Sequence, residues 1–420
     1  MKWALFFLVN VPGGNMNYTD QEVKVFVEEE DVKFIRLAFC DVFGRHKNVS
    51  IMPTELDRAF SEGIAIDAWS VEGFDIDAKS DLFLHPDPST LAVLPWRPEH
   101  GRVVRMYCDI TWPDGTPFAC DARTFLRNAV DAAAKKGYSF RFGTESEFYL
   151  FRNDMEGVNT GIPYDDAGYM DIGPADRCEN IRREICITLE QMGIFAESSH
   201  HEEGPGQNEI DFRYCDALKS ADDAMTFRSV VSAISNRNGA TADFSPKPVE
   251  GRAGNGMHIN FSVAKGKENV SFEPVVAGIL KYVADMTLFL NPGRGSYNRL
   301  GSSKAPEYIS WAKENRSALI RIPAASGEYV RAELRSPDPS SNPYLAFGLL
   351  IYAGLEGLEN GLVPPAAIET NLYTESEKNS SLAKLPSSLK DAAEIAGASE
   401  FIKKYVPEEI LSSYLKRAEK

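Results

Sequence analysis

Hydrophobic and polar positions alternate through Val32-Lys33-Phe34-Ile35-Arg36-Leu37-Ala38-Phe39, break at Asp41-Val42-Phe43-Gly44-Arg45 and resume at Asn48-Val49-Ser50-Ile51. Period-two alternation around a turn predicts two short strands. Leu91-Ala92-Val93-Leu94-Pro95 and Val103-Val104-Arg105-Met106-Tyr107 predict further strands, so the stretch from Val32 to about Ile110 reads as a small mixed domain. Turn residues cluster at Trp112-Pro113-Asp114-Gly115-Thr116-Pro117 and mark its end. Beyond them the spacing becomes helical: Asp121 is placed to cap a helix that runs to Lys136, with Phe125, Leu126, Ala129, Val130 and Ala133 on one side and Gly137 as its stop. The same periodicity predicts helices at about 176–192, 218–237, 276–290 and 342–360, separated by strand-like segments that carry most of the polar clusters. The chain therefore reads as α+β, with domains at 16–112 and 113–420 and a polar, helical tail after Pro364.

Residues 1–15 are read as a leader or a wrongly assigned start. Lys2 precedes a short apolar run, Trp3 to Val9, but no small-x-small cleavage pattern follows, and Met16 opens a polar segment that looks like a helix N-terminus.

A length of 420 residues exceeds the usual span of one hydrophobic core. Apolar residues at 43% and charged residues at 25% are those of an ordinary soluble protein, and no stretch approaches the roughly 18 apolar residues of a membrane span. The net charge of −16 argues against nonspecific binding to nucleic acid or to an anionic membrane, while leaving local basic pockets open. Six cysteines without a Cys-x-x-Cys pair suit reduced thiols in the cytoplasm.

Candidate chemistry begins with Glu145 and Glu147, one residue apart in the β-prone run Phe142-Gly143-Thr144-Glu145-Ser146-Glu147-Phe148-Tyr149-Leu150-Phe151. In a strand both carboxylates face the same way, and like charges that close raise each other's pKa unless a cation lies between them. A divalent ion with oxygen ligands fits; the plainer alternative is the solvated face of an edge strand. In the segment from Glu197 to Phe212 a Gly204-Pro205-Gly206 turn lets Glu202 and Glu209 converge, though a charged hairpin has the same signature. From Lys247 to Ser262 a glycine-rich loop enters an alternating strand that puts His258, Asn260 and Ser262 on one face, for a ligand or for internal hydrogen bonds. Arg316 and Arg321 flank an apolar run, while Arg331, Glu333 and Arg335 share a strand face; these cations suit an anionic substrate or a structural ion-pair ladder. Hard ligands for Mg2+ or Mn2+ together with arginines are what phosphoryl transfer requires. No Walker-type Gly-Lys-Ser/Thr sequence is present, so a nucleotide must bind by another route.

These segments, in this order, resemble the glutamine synthetase family over nearly the whole chain, from about Val32 to Gly361. The resemblance implies a small N-terminal β-grasp domain and a larger catalytic domain, assembled as stacked rings (a dodecamer) with active sites between subunits. By motif, Glu147, Glu202 and Glu209 would hold the metal beside glutamate, and Glu145, His258 and Glu333 the metal on the nucleotide phosphates. Arg299 and Arg335 match clamps on the substrate glutamate, with the Gly254 backbone near its amino group. Arg316, Arg321 and Arg331 match phosphate-binding arginines, Arg316 also serving substrate and catalysis, while Glu197 and Ser262 match nucleotide contacts. Asp67 matches the aspartate that a neighbouring subunit gives to the ammonium site. The implied reaction phosphorylates the γ-carboxylate of L-glutamate with ATP and amidates it with ammonia.

Departures cluster near the acceptor end. The family's flap carries a glutamate shortly after the arginine matched by Arg299; here Lys304 stands nearest, with Glu307 three residues on as a substitute. A lysine there would repel ammonium unless it is neutral or turned away. Ala253 replaces an asparagine that steadies the flap, and Asn260 and Glu328 stand where histidine and lysine are common on the nucleotide side. The flap changes keep open a γ-glutamyl amide ligase that uses another primary amine; a third reading, in a different class, is a catalytically silent family member acting as a binding protein, against which the six metal-ligand matches argue. Tyr373 aligns with a tyrosine that some members adenylylate, but Thr374-Glu375-Ser376-Glu377 after it is not the usual context.

Overall fold

A computed structural model describes residues 18–419 except 77, 98, 99, 267, 326, 328, 329 and 376–380. The leader at 1–15, the start at Met16 and the comparison at Glu328 lie outside the described residues. Helix α1 (Asp20–Glu29) opens on a capping box: the Thr19 hydroxyl accepts from Glu22 N, and the Glu22 carboxylate accepts from Thr19 N at 2.7 Å. Strands β1 (Val32–Cys40), β2 (His46–Ile51), β3 (Ile64–Asp67), β4 (Asp81–Pro86), β5 (Ala92–Val93) and β6 (Arg102–Thr111), with α2 (Leu56–Ser61), make the first unit. Its sheet runs β2-β1-β6-β4-β3, with β1 and β6 parallel, the other pairs antiparallel, and β5 beside β6.

A second sheet is built around the long strand β7 (Tyr138–Asn153). Its other strands are β8 (Asn159–Pro163), β9 (Ala196–His201), β10 (Gln207–Phe212), β11 (Cys215–Asp216), β12 (Ala240–Asp243), β13 (Met257–Lys265), β14 (Glu268–Asn269), β15 (Trp311–Lys313), β16 (Ile320–Ile322) and β17 (Ala332–Leu334). The order is β15-β16-β17-β13-β7-β10-β9, with β8, β11 and β12 on other parts of β7 and β14 on β13. Helices α3 (Ala122–Lys135), α4 (Glu179–Gln191), α5 (Ala217–Arg237), α6 (Phe272–Leu290), α7 (Arg294–Arg299), α8 (Pro343–Glu359), α9 (Leu389–Ala398), α10 (Glu400–Tyr405) and α11 (Glu408–Glu419) complete the larger unit.

The expected helices form, with shifts that have local causes. Asp121 caps α3 by accepting from Arg123 N. Ser271 caps α6 by accepting from Glu273 N, so that helix begins at Phe272 rather than near 276, with Pro274 tolerated in its first turn. Helix α4 begins at Glu179 rather than 176 because Asp176 uses its carboxylate to hold Arg182 from outside the helix, Arg182 Nη2 donating at 2.6 Å. Helices α6 and α8 are apolar nearly all round, which marks them as buried. They meet at two glycines: a Cβ on Gly278 would lie 2.0 Å from Ala353 O, and one on Gly357 would lie 1.9 Å from Pro274 O. Either side chain would force the helices apart.

One hydrophobic core runs from Ile35, Leu37, Val104 and Met106 of the first unit to Phe142, Ile259, Phe347 and Leu349 of the second. The C-terminal tail closes it, with Tyr414 OH donating to Val42 O at 3.2 Å and Ser413 Oγ to Gly73 O at 2.7 Å. No helix among the described residues is long and apolar enough to cross a membrane.

Candidate active site

Strand β7 is central, flanked by β13 and β10, so Glu145 and Glu147 do not stand on a solvated sheet edge. Register then gathers their partners. Glu145 faces His258 on one side and Asp211 on the other; Glu147 faces Glu209, and Glu209 faces His200. Further along the sheet, Asn260 and Arg321 both face Glu333. Because side chains alternate, these paired positions all project to one face, which becomes the floor of a cavity of about 510 Å3. Strand β17 is shorter than the alternation predicts, so Arg331 and Arg335 lie just beyond its ends, yet both still line the cavity with Glu333.

The acidic and imidazole groups fall into two adjoining clusters. His258 Nδ1 stands 3.2 Å from Glu145 Oε2 and 3.4 Å from Glu333 Oε1. His200 stands 3.3 Å from Glu209 Oε1 through Nε2 and 3.7 Å from Glu202 Oε1 through Nδ1. In each trio one ligand atom per residue lies within 4.8 Å of the others, and a further trio is Glu145, Glu209 and Asp211. Glu147 Oε2 accepts from Gln207 Nε2 at 3.0 Å and from Gly256 N at 2.9 Å, which orients the carboxylate between the clusters.

Their electrostatics differ. Burial raises the Glu145 pKa, but the imidazole of His258, the amide of Asn260 and the charge of Arg331 outweigh it and hold the group at about 2. Burial and then the charge of Glu147 push Glu202 up to about 8, and burial with the charge of Glu145 pushes Asp211 to about 7. Glu209 is raised well above its ordinary range by burial and by four carboxylates around it. Such a set of inward-facing oxygens and imidazoles favours a divalent cation, which relieves the mutual repulsion; the donor chemistry fits Mg2+ or Mn2+.

The arginines line the same cavity beside the carboxylates. Arg321 Nη1 donates to Glu333 Oε2 at 3.0 Å and Arg335 Nε to Glu333 Oε1 at 3.1 Å, while Arg331 Nε donates to Asn260 Oδ1 at 2.9 Å. Arg299 at the end of α7 is buried, and its Nη1 and Nη2 donate to the carbonyls of Ser336 at 2.7 Å and Arg335 at 3.2 Å. Gly254 packs against it: a Cβ there would lie 2.5 Å from Pro246 O and 3.0 Å from Arg299 Cγ, so only backbone fits. Arg316 lines the cavity, and its carbonyl, 2.8 Å from the Tyr373 hydroxyl, shares that one proton with the Lys304 carbonyl at 2.5 Å.

Four expected residues stand apart from the cavity within this single chain. Asp67 ends β3 as an exposed side chain, accepting from Trp69 N at 3.0 Å, and does not line the cavity. Glu197 and Ser262 do not line it either; they lie beyond the reach of its floor on β9 and β13. Glu307 does not line the cavity in this chain; its Oε1 lies 3.2 Å from Lys384 Nζ.

Other lining residues escaped the sequence reading. His200 shares strand parity with Glu202, and Asp211 with Glu209, a signal that was legible. Tyr169 and Met170 come from a loop between β8 and α4 that has no periodicity to read. Lys304 is charged, not neutral: its hydrogen bond to Glu203 raises its pKa, and its ammonium lies 5.8 Å from the Tyr169 ring centre.

Comparison with known proteins agrees with this architecture. The profile described as "Glutamine synthetase, beta-Grasp domain" matches residues 31–113 and "Glutamine synthetase, catalytic domain" matches 119–420. A glutamine synthetase from Clostridium saccharobutylicum is 42% identical over 414 residues, covering 95% of this chain and 94% of the relative. One from Methanosarcina mazei is also 42% identical, covering 94% and 92%. A solved structure described as a GmaS/ADP complex superposes with a TM-score of 0.86 at 26% identity, covering 94% of each chain. The chain belongs to the glutamine synthetase family, with that family's N-terminal β-grasp domain and larger catalytic domain.

Proposed function

We propose that this chain is a cytoplasmic, ATP-dependent glutamate–ammonia ligase that makes glutamine. The observation that supports this most directly is the single cavity that gathers nine carboxylate or imidazole side chains beside five arginines. Glu147, Glu202 and Glu209, joined by His200, would hold one Mg2+ or Mn2+, and Glu145, His258 and Glu333 a second. Bound there, the ions supply charge neutralisation for phosphoryl transfer.

The chain's own residues do the positioning. Arg299, Arg335 and the Gly254 backbone hold glutamate so that its γ-carboxylate meets the terminal phosphate of ATP, while Arg316, Arg321 and Arg331 bind the phosphates. Attack by the carboxylate oxygen breaks the bond between the terminal phosphorus and its bridging oxygen, giving an acyl phosphate and ADP. Ammonia then displaces phosphate from the acyl carbon, with arginines stabilising the oxyanion. Glu197 and Ser262 are assigned to the nucleotide, at the outer part of its site. Asp67 is assigned to the ammonium site of a neighbouring subunit, taking up the proton released by the amine. Its exposure, away from its own chain's cavity, suits ring assembly with active sites shared between subunits. The domain division at 16–112 and 113–420 belongs to the same reading.

Phosphate release from ATP and L-glutamate, with Mg2+ or Mn2+, tests the proposal when ammonia is compared with a panel of primary amines. Strong stimulation by ammonia is expected. Stimulation only by an alkylamine would replace it with a γ-glutamyl amide ligase, and absence of ATP binding in titration calorimetry would leave a binding protein.

A further inference from the structure

Four chain segments meet at the mouth of the cavity. Lys304 from the loop between α7 and β15, Glu203 from the turn between β9 and β10 and Tyr169 from the loop before α4 line it, and Tyr373 from the segment after α8 joins them through its bond to the Lys304 carbonyl. Lys304 is tied down twice: its ammonium pairs with the Glu203 carboxylate, and its carbonyl accepts from the Tyr373 hydroxyl at 2.5 Å. It is the only lysine among the described residues that line the cavity.

Charge makes that position consequential. The floor beneath it is acidic, with Glu202 adjacent to Glu203 in the chain, and so attracts a cationic amine. A fixed ammonium at the rim opposes the attraction unless a carboxylate cancels it. Glu203 does so through direct contact, and Lys304 in turn keeps Glu203 from holding the incoming cation at the rim.

We propose that Glu203 and Lys304 form a charge-balanced gate that sets the affinity of the site for a positively charged acceptor amine. This rests on the ligase reading above and adds two residues to it. The pair acts on the amine through its field and is a positioning pair, not a catalytic one. Side-chain exposures of 35% for Glu203 and 64% for Lys304 make it a weak bond that opens readily, and make its field sensitive to salt.

The test uses two acceptors of opposite character: ammonium, a cation at neutral pH, and hydroxylamine, which is largely uncharged there. Glu203→Gln leaves Lys304 unbalanced and is expected to raise the KM for ammonium about three- to tenfold at low ionic strength, with the KM for hydroxylamine and for glutamate changed by less than about twofold. Added salt should narrow the difference. Lys304→Gln should move the ammonium KM the opposite way, and the exchanged pair, Glu203→Lys with Lys304→Glu, should return it near the starting value. Equal changes for both acceptors, or none for either, would overturn the gate and leave the pair as a surface contact. Hydroxamate formed from ATP, glutamate and hydroxylamine by the unaltered protein reports on the ligase reading separately, so loss of that product and loss of the acceptor discrimination are distinct failures.

Discussion

Two buried acidic regions of this molecule handle negative charge in opposite ways. Where the first unit meets the second, Arg123 is almost wholly enclosed and donates to Asp87 and Asp109 at 2.8 Å each and to both oxygens of Asp222 at 3.0 and 3.1 Å. Arg127 adds two bonds of 2.8 Å to Asp109, and the Tyr344 hydroxyl donates to Asp222 at 2.6 Å. Burial pushes the Asp87 pKa up, yet the charge of Arg123 overrides it and the group stays below its ordinary value. In the cavity the arginines spend their hydrogen bonds on Glu333, Asn260 and backbone carbonyls, so burial and like charge outweigh the partners of Glu202, Glu209 and Asp211 and their pKa values rise. A cluster that neutralises itself is architecture; one that withholds its cations is prepared for a cation from solution.

The largest expected effect breaks the comparison at the cavity. Glu209→Gln should cut phosphate release by about a thousandfold, roughly 4 kcal/mol of transition-state stabilisation. The same variant in metal-free buffer should keep or gain thermal stability, because it removes like-charge repulsion; a melting temperature several degrees lower would make the cluster structural. At the seam between units, Arg123→Met should cost about 3–5 kcal/mol in urea unfolding, since Asp222 is left buried without its partner. A loss under about 1 kcal/mol would show that the seam tolerates unpaired charge.

Metal titration sharpens the contrast. At about 100 times its Kd, Mg2+ or Mn2+ should add about 2.7 kcal/mol to the unaltered chain and little to Glu209→Gln, read as a shift in the unfolding midpoint. The smallest effect concerns His46, whose Nδ1 lies 2.7 Å from Ser229 Oγ across the same seam. Burial, with the charges of Arg105 and Arg36, lowers its pKa from 6.5 to about 3. The folded state therefore favours neutral imidazole: the stabilisation is full above pH 6.5 and is lost as pH falls toward 3. His46→Gln should remove about 1–3 kcal/mol from the acid loss of stability in that window. An unchanged acid limb would mean that the imidazole finds water or a counter-charge.

Local sequence already determined a good part of this. Period-two spacing put Glu145 with Glu147 and His258 with Asn260 on common faces, because backbone geometry alone sends alternate side chains the same way. Caps and apolar periodicity located α3, α5 and α8 within a residue or two, since those signals are satisfied inside the helix itself. Sequence spacing carries no information about which strands lie side by side. Only tertiary register decided that β7 is central, that His200 joins Glu202 and Glu209, and that Asp211 faces Glu145. Only the fold moved Glu307 to Lys384 and gave Lys304 the partner Glu203, about a hundred residues away in the chain. Coulomb attraction and hydrogen bonding act through space, so the meaning of a charged residue is settled by what packing brings within a few ångströms of it.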